Sequence, residues 1–190
     1  AQSGIIRVQV EVHNTSGQPL SGQLQLSVAP AAGGETLTLS ELQVELPVGQ
    51  TQIDTELRLD NPRLWELHDP FLYRVNARLQ TPLGNDEQAV RCGFRDFRIE
   101  GGYFRLNGRR LFVRSTHTGN HVPVGQIIAP ASAPDLLRRD LLYAKVSGYN
   151  MVRFIAGVAH PYQLDLCDEI GLLVYEESLA GWCLADSPQM

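Results

Sequence analysis

Asp165-Leu-Cys-Asp-Glu-Ile-Gly-Leu-Leu-Val-Tyr-Glu-Glu177 decides the architecture of this 190-residue chain. Leu166 and Ile170 stand four residues apart, on one face of a helix, and Gly171 stops it. Leu172 to Tyr175 is a short apolar strand, and Glu176 and Glu177 stand where it ends. A helix feeding a buried strand that ends in carboxylates is the pattern of a βα barrel, whose strand C-termini carry the chemistry. Only residues 178–190 follow. A closed barrel is therefore not expected within this sequence, which reads as a fragment of a parent continuing past Met190.

The preceding segments repeat the same grammar. Pro161 suits the first turn of the helix that Gly171 closes. Asn150 to Ile155 reads as another strand. Ser132-Ala-Pro-Asp135 opens a helix, with Ser132 as the cap and Asp135 at the capping-box position. Leu137, Leu141 and Ala144 form its apolar stripe, with Leu142 and Val146 beside it, and Gly148 ends it. Gly101-Gly102 precedes a hairpin over Tyr103–Val113, turned by Asn107-Gly108 in the type I′ manner. Leu111 to Val113 is expected to continue as the first strand of the parallel sheet. Strand, helix, strand, helix, strand implies a parallel sheet with right-handed crossovers. About three such strands leave open edges. Homo-oligomerisation through exposed sheet edges is the assembly this implies.

The first half is written in period two. Ile6, Val8, Val10 and Val12 alternate with polar residues before the turn Asn14-Thr-Ser-Gly17. Leu20 to Val28, Leu42 to Leu46, Ile53 to Leu59, Phe71 to Leu79 and Gln88 to Ile99 follow. Gly33-Gly34 and Gly84-Asn85-Asp86 are read as turns between them. Regular turns without a helical period predict an antiparallel β-sandwich of about seven strands. The organisation is then an immunoglobulin-like sandwich over residues 1–98 and the N-terminal part of a barrel over 99–190.

Composition excludes several classes. Apolar content of 43% and charged content of 19% are those of a globular protein, and the net charge is −5. No Lys/Arg cluster resembles a nucleic-acid footprint, and no apolar run reaches the length of a membrane span. Cys92, Cys167 and Cys183 lack metal-site spacing, and Cys167 is read as a small buried residue of its helix. No signal peptide is visible, and the strand-like start leaves room for a leader or an earlier domain. No compartment is assigned.

Asn61-Pro-Arg-Leu-Trp65, Pro70-Phe-Leu-Tyr73, Gly93-Phe-Arg95, Phe104-Arg-Leu-Asn-Gly108, Val113-Arg114, Asn150-Met-Val-Arg153 and Asp165–Gly171 occur in this order. Together they resemble glycoside hydrolase family 2, the family of β-galactosidases, β-glucuronidases and β-mannosidases. The resemblance implies an immunoglobulin-like sandwich followed by an incomplete (β/α)8 TIM barrel, of which the first three strands are present. It implies a retaining exo-β-glycosidase parent, β-galactosidase-like, acting on terminal β-linked sugars. The rival reading is a non-catalytic carbohydrate-binding or scaffold module that keeps a glycosidase-like fold. The resemblance also admits a divalent cation in the full-length parent; no cofactor or metal site is expected in this chain.

Retaining hydrolysis needs a carboxylic acid and a carboxylate nucleophile about 5–5.5 Å apart. Glu176 and Glu177 are neighbours on a strand and point to opposite faces, so they cannot converge on one sugar carbon. The family pattern places its acid/base after the fourth barrel strand and its nucleophile after the seventh. No catalytic residue is therefore expected here, and the chain alone is expected to be inactive. Arg153 matches an arginine that pairs with the family's nucleophile, and Glu177 a strand-three carboxylate near the pocket. His117, Asn120 and His121 lie in the stretch expected to form the loop after the first barrel strand. The sequence departs from the family there: Arg114-Ser-Thr-His-Thr-Gly119 puts His117 where Asn is usual and Gly119 where a galactosidase has His. Phe154–Pro161 resembles the glycine-bearing mannosidase loop, and His160 is read as a helix cap or a solvent-facing residue. Trp182 can stack on a sugar ring; Trp65 is expected to pack between the domains. Arg153, Glu177, His117, Asn120, His121 and Trp182 are thus the candidate substrate contacts.

Overall fold

A computed structural model of the protein describes residues 3–118, 135–155 and 158–177. The chain forms two compact units, residues 1–65 with 71–94, and residues 66–70 with 95–190.

The first unit is an antiparallel sandwich. Its strands are β1 (Ser3–Asn14), β2 (Leu20–Pro30), β3 (Thr38–Leu46), β4 (Gly49–Asp60), β5 (Tyr73–Thr81) and β6 (Gly84–Cys92). β1 pairs with β4, and the other sheet runs β3-β2-β5-β6. These are the pairings of strands B–E and C′–C–F–G in an immunoglobulin-like sandwich. The alternation read from the sequence is what fills the core. Leu24, Leu26 and Val28 of β2, Leu57 and Leu59 of β4, and Tyr73 and Val75 of β5 form one buried cluster. Ile6, Val8, Val10 and Val12 of β1 pack against it. No disulfide joins the sheets among the described residues; Cys92 is a free thiol.

A tyrosine closes the corner between β4 and β5. Tyr73 is buried, and its hydroxyl accepts from the Arg63 amide at 2.7 Å. This is the tyrosine corner of immunoglobulin-like folds, built without their cysteines. Phe71 and Phe94 meet the Tyr73 ring edge-on, at 4.9 and 5.5 Å. Trp65 is buried, its amide donates to Phe94 O at 2.8 Å, and its Cβ lies close to Gly93.

Six sandwich strands are present among the described residues rather than about seven. The segment expected over 88–99 is divided, because Phe94 bridges in parallel to Leu64 and leaves the β5 ladder. Phe97–Glu100 (β7) instead pairs with Tyr103–Leu106 (β8), which pairs with Arg109–Arg110 (β9). Asn107 and Gly108 have φ of 51° and 79°, as the type I′ turn between β8 and β9 requires. The turn expected at Gly84-Asn85-Asp86 falls one step earlier. Those residues pair with Thr81, Gln80 and Leu79, and Pro82-Leu83 makes the loop.

The second unit also holds a parallel sheet, ordered β10 (Ser115–Thr118), β11 (Met151–Phe154), β12 (Leu173–Glu176). Helices α1 (Leu136–Val146) and α2 (Pro161–Ile170) connect them. Leu141 and Ala144 of α1, and Leu166 and Cys167 of α2, bury Val152 and Phe154 of β11. Val146 is exposed, outside the α1 stripe. Asp135 is itself the N-cap of α1 and makes no side-chain cap bond; Ser132 lies outside the described residues. His160 caps α2, its Nδ1 accepting from the Tyr162 amide at 3.4 Å while Gln163 Oε1 accepts from the His160 amide at 2.9 Å.

The first parallel strand is not Leu111–Val113 but Ser115–Thr118. The side chain of Asn150 takes the backbone groups that a ladder would need there. Its Nδ2 donates to Phe112 O and its Oδ1 accepts from the Arg114 amide. A second constraint lies at Gly171, which has φ of 76° and closes α2. A Cβ at this position would stand 2.3 Å from Leu67 O. Lys145 Nζ donates to the same Leu67 O and to Gly171 O, at 2.6 and 2.9 Å. Burial there lowers the Lys145 ammonium's pKa.

Gly171→Ala combines the left-handed penalty with a clash on backbone, so it is expected to cost at least about 2 kcal/mol in urea unfolding. Asn150→Ala leaves a carbonyl and an amide without partners and is expected to cost about 2 kcal/mol or more in the same measurement. Burial, followed by the Asp168 carboxylate, pushes the Cys167 thiol up to about 12. The unfolded thiol ionises near pH 8.5 while the folded one stays neutral, so stability is lost as pH climbs from there towards 12. Iodoacetamide at pH 8.5 should spare Cys167 in the folded chain and label it in urea.

Candidate functional site

The parallel sheet presents two unlike faces. Val152 and Phe154 point into the helices, so the alternating positions of β11 point the other way. The register continues this row across the sheet. His117 lies opposite Arg153, and Arg153 opposite Tyr175. The row sits near the carboxyl ends of the strands, where parallel sheets place their ligand sites. His117 and Tyr175 are exposed, and Arg153 is half-buried.

One ion pair organises the row. Arg153 Nε donates to Glu177 Oε1, and Arg153 Nη2 contacts the same oxygen. The Glu177 side chain is 17% exposed and that of Arg153 43%, so the acid is the more enclosed partner. The Arg153 guanidinium lies 6.0 Å from the Tyr175 ring centre, at the outer limit of a cation–π contact. The pair offers charged donors and acceptors to hydroxyl groups, and the ring offers an apolar wall.

Glu176 is engaged elsewhere. It is in register with Phe154, on the helix-facing side, and its Oε1 accepts from the Ala159 amide at 2.8 Å. It therefore ties the chain after β11 to the end of β12. The two adjacent carboxylates thus serve opposite faces of one strand. Thr118, at the end of β10, donates to Asp140 Oδ2 of α1 at 2.7 Å.

Of the six sequence candidates, Arg153 and Glu177 are in contact and His117 is aligned beside them. His117 lies within β10 rather than in a following loop, because the strand begins at Ser115. Asn120, His121 and Trp182 lie outside the described residues. Sequence reasoning missed Tyr175, although its position two residues before Glu177 already assigned it to the same face. It also missed Asn150, whose amide fixes the neighbouring strand. Among the described residues, no group of three or more His, Cys, Asp or Glu side chains could hold a metal ion.

Residues 1–95 match the family described as Glycosyl hydrolases family 2. The chain is similar in structure to Bacteroides uniformis β-glucuronidase 2, solved covalently bound to cyclophellitol-6-carboxylate aziridine. The TM-score is 0.84 at 24% identity, over 98% of this chain and 22% of that one. It is also similar to the β-glucuronidase of Parabacteroides merdae, with a TM-score of 0.77 at 29% identity over 93% of this chain and 22% of that chain. A glycosyl hydrolase family 2 member from Bacteroides cellulosilyticus gives 0.79 at 24% identity, over 93% and 23%. The chain therefore spans between a fifth and a quarter of the length of these proteins. With the match covering the whole sandwich and these proteins sharing its fold, the chain belongs to glycosyl hydrolases family 2.

Proposed function

We propose that this chain is part of a retaining exo-β-glycosidase that removes terminal β-linked sugars. In this reading β10, β11 and β12 are the first three strands of a (β/α)8 barrel, and the Arg153–Glu177 pair lines its sugar pocket. The observation that carries it is the pair itself, an engaged guanidinium and carboxylate at the carboxyl ends of parallel strands in a family 2 chain. His117 stands beside the pair on β10, and Asn120, His121 and Trp182, outside the described residues, are carried as further candidate sugar contacts. The β-glucuronidase of Parabacteroides merdae, at 29% identity, supports a glycosidase parent.

The reaction requires two carboxyl groups flanking one glycosidic bond. Glu177 is occupied by Arg153, and Glu176 by the Ala159 amide on the other side of the strand. Neither is placed as a member of such a pair. The acid/base and nucleophile then belong to parts of the barrel that follow this chain. Arg153 and Glu177 act by fixing charge and hydrogen-bond geometry at the pocket wall, which is worth most in a water-excluded site.

The 190-residue chain is expected to leave chromogenic aryl β-D-galactosides, β-D-glucuronides and β-D-mannosides unhydrolysed. In the whole enzyme, Arg153→Ala should lower kcat by about 100-fold or more, since a preorganised charge beside Glu177 is lost. Turnover by the chain alone that disappears in Glu177→Gln or Glu176→Gln would overturn the assignment of chemistry to downstream residues. An Arg153→Ala enzyme with unchanged kinetics would remove the pair from the pocket.

A further inference from the structure

The small sheet of the second unit, β7-β8-β9, sorts its residues by face. Phe97 lies opposite Leu106 and Ile99 opposite Phe104, so these four share one side. The Phe97 and Phe104 rings stack there, 5.7 Å apart. On the other side Arg98 lies opposite Arg105, and Arg105 opposite Arg110. Three guanidinium groups therefore form one row across three strands, about 5 Å from each strand to the next. The sequence conceals this row, because its members are scattered among other residues and only the register brings them level.

Like charges set opposite one another repel, so the row needs counter-charge. Two carboxylates supply part of it. Glu100 Oε2 lies 2.9 Å from Arg105 Nε and 3.7 Å from Arg98 Nη2, and Asp96 Oδ2 lies 3.4 Å from Arg98 Nε. Arg105 is the fixed member: its Nη1 donates to Gly108 O at 2.9 Å, and its Nε is shut off from solvent. The outer two are held more loosely. Among the described residues, Arg98 and Arg110 make no side-chain hydrogen bond. The Arg110 guanidinium lies 3.6 Å from the Tyr103 ring centre, a contact that supplies no negative charge. Arg110 is thus the unbalanced end of the row.

We propose that the Arg98–Arg105–Arg110 row is a binding site for an acidic glycan, whose carboxylates supply the missing counter-charge. A guanidinium fork matches a carboxylate with two parallel N–H···O bonds. A row of roughly 10 Å is longer than one carboxylate, so a chain carrying several of them fits it better than a single small anion. Single-stranded nucleic acid would use free aromatic faces beside the arginines. Here Arg110 lies over the Tyr103 ring, and the stacked phenylalanines are on the opposite side. That the polyanion is a glycan rests on the glycosidase reading of this chain. The row shares no residue with the Arg153–Glu177 pair, and it holds a polymer without acting on it.

Calorimetric titration of the 190-residue chain with polygalacturonate at low ionic strength tests the site. Binding is expected, and it should weaken as salt is added. Arg98→Ala and Arg110→Ala should each weaken it about fivefold. Arg7→Ala removes the same charge from an exposed position in the sandwich and should leave binding unchanged. Arg98 and Arg110 are both exposed, so circular dichroism should show their variants folded. Dextran, a neutral glycan, should not bind. A chain that does not bind polygalacturonate overturns the proposal, as does a loss that Arg7→Ala shares with the row variants. Dextran binding as tight as polygalacturonate overturns the role of charge. Single-stranded DNA binding more tightly than polygalacturonate overturns the glycan. A chain that ignores polygalacturonate while the whole enzyme still depends on Arg153 loses this site and keeps the proposed activity.

Discussion

The second unit depends on how one buried amide is satisfied. Asn150, just ahead of β11, bonds both the approach to β10 and the first residue of β12. Its side chain accepts from the Arg114 amide and donates to Phe112 O, on the approach to β10. Its own backbone amide donates to Arg114 O, and its carbonyl accepts from the Leu173 amide of β12. A buried amide left without partners would be costly, so the three chain segments are held in one alignment. That alignment puts His117, Arg153 and Tyr175 in a row. From there the two-residue period of a strand does the rest, and Glu177 arrives on the same side as Arg153.

A comparable economy holds in the sandwich. The connection between β4 and β5 carries Asn61, Arg63, Trp65 and Phe71, and each has a physical task. Asn61 adopts φ of 49°, which asparagine tolerates better than most residues. The Arg63 amide binds the Tyr73 hydroxyl, and its guanidinium lies 4.5 Å from the Phe71 ring centre. Trp65 binds Phe94 O, and Gly93 passes close to it. The two short motifs around residues 61–73 and 93–95 are thus halves of one structural corner up to Phe94. Their joint presence in the sequence was a statement about packing as well as about ancestry.

How legible this was depended on whether the signal was periodic or relational. Alternation named the core-facing residues of β1 and β2, and the helical stripe named Leu137, Leu141 and Ala144. The apolar run Leu111–Val113 misled, because it looks like a strand while Asn150, far along the chain, claims its backbone; Phe112 is 81% exposed. Likewise Gly84-Asn85-Asp86 has the composition of a turn, but the β5 register takes those residues into the ladder. The break at Phe94 follows from a bridge to Leu64, thirty positions away. At the candidate site, the contact of Arg153 with Glu177 became visible only through the strand register, whereas the divergence of Glu176 from Glu177 was written in their adjacency.

That divergence has a consequence for how such a site is built. A strand end can offer only one of two neighbouring carboxylates to a ligand, and the other must be satisfied on the opposite side. Here the second acid is used to hold the Ala159 amide, just ahead of the His160 cap of α2. The chain between β11 and α2 is thereby fixed from β12, while Arg153, on β11, holds Glu177 from the other direction. Each strand end is positioned by a side chain from its neighbour. Neither strand alone could present this geometry, because both interactions cross between the two strands. A pair of strand ends held in this way owes its rigidity to the sheet register.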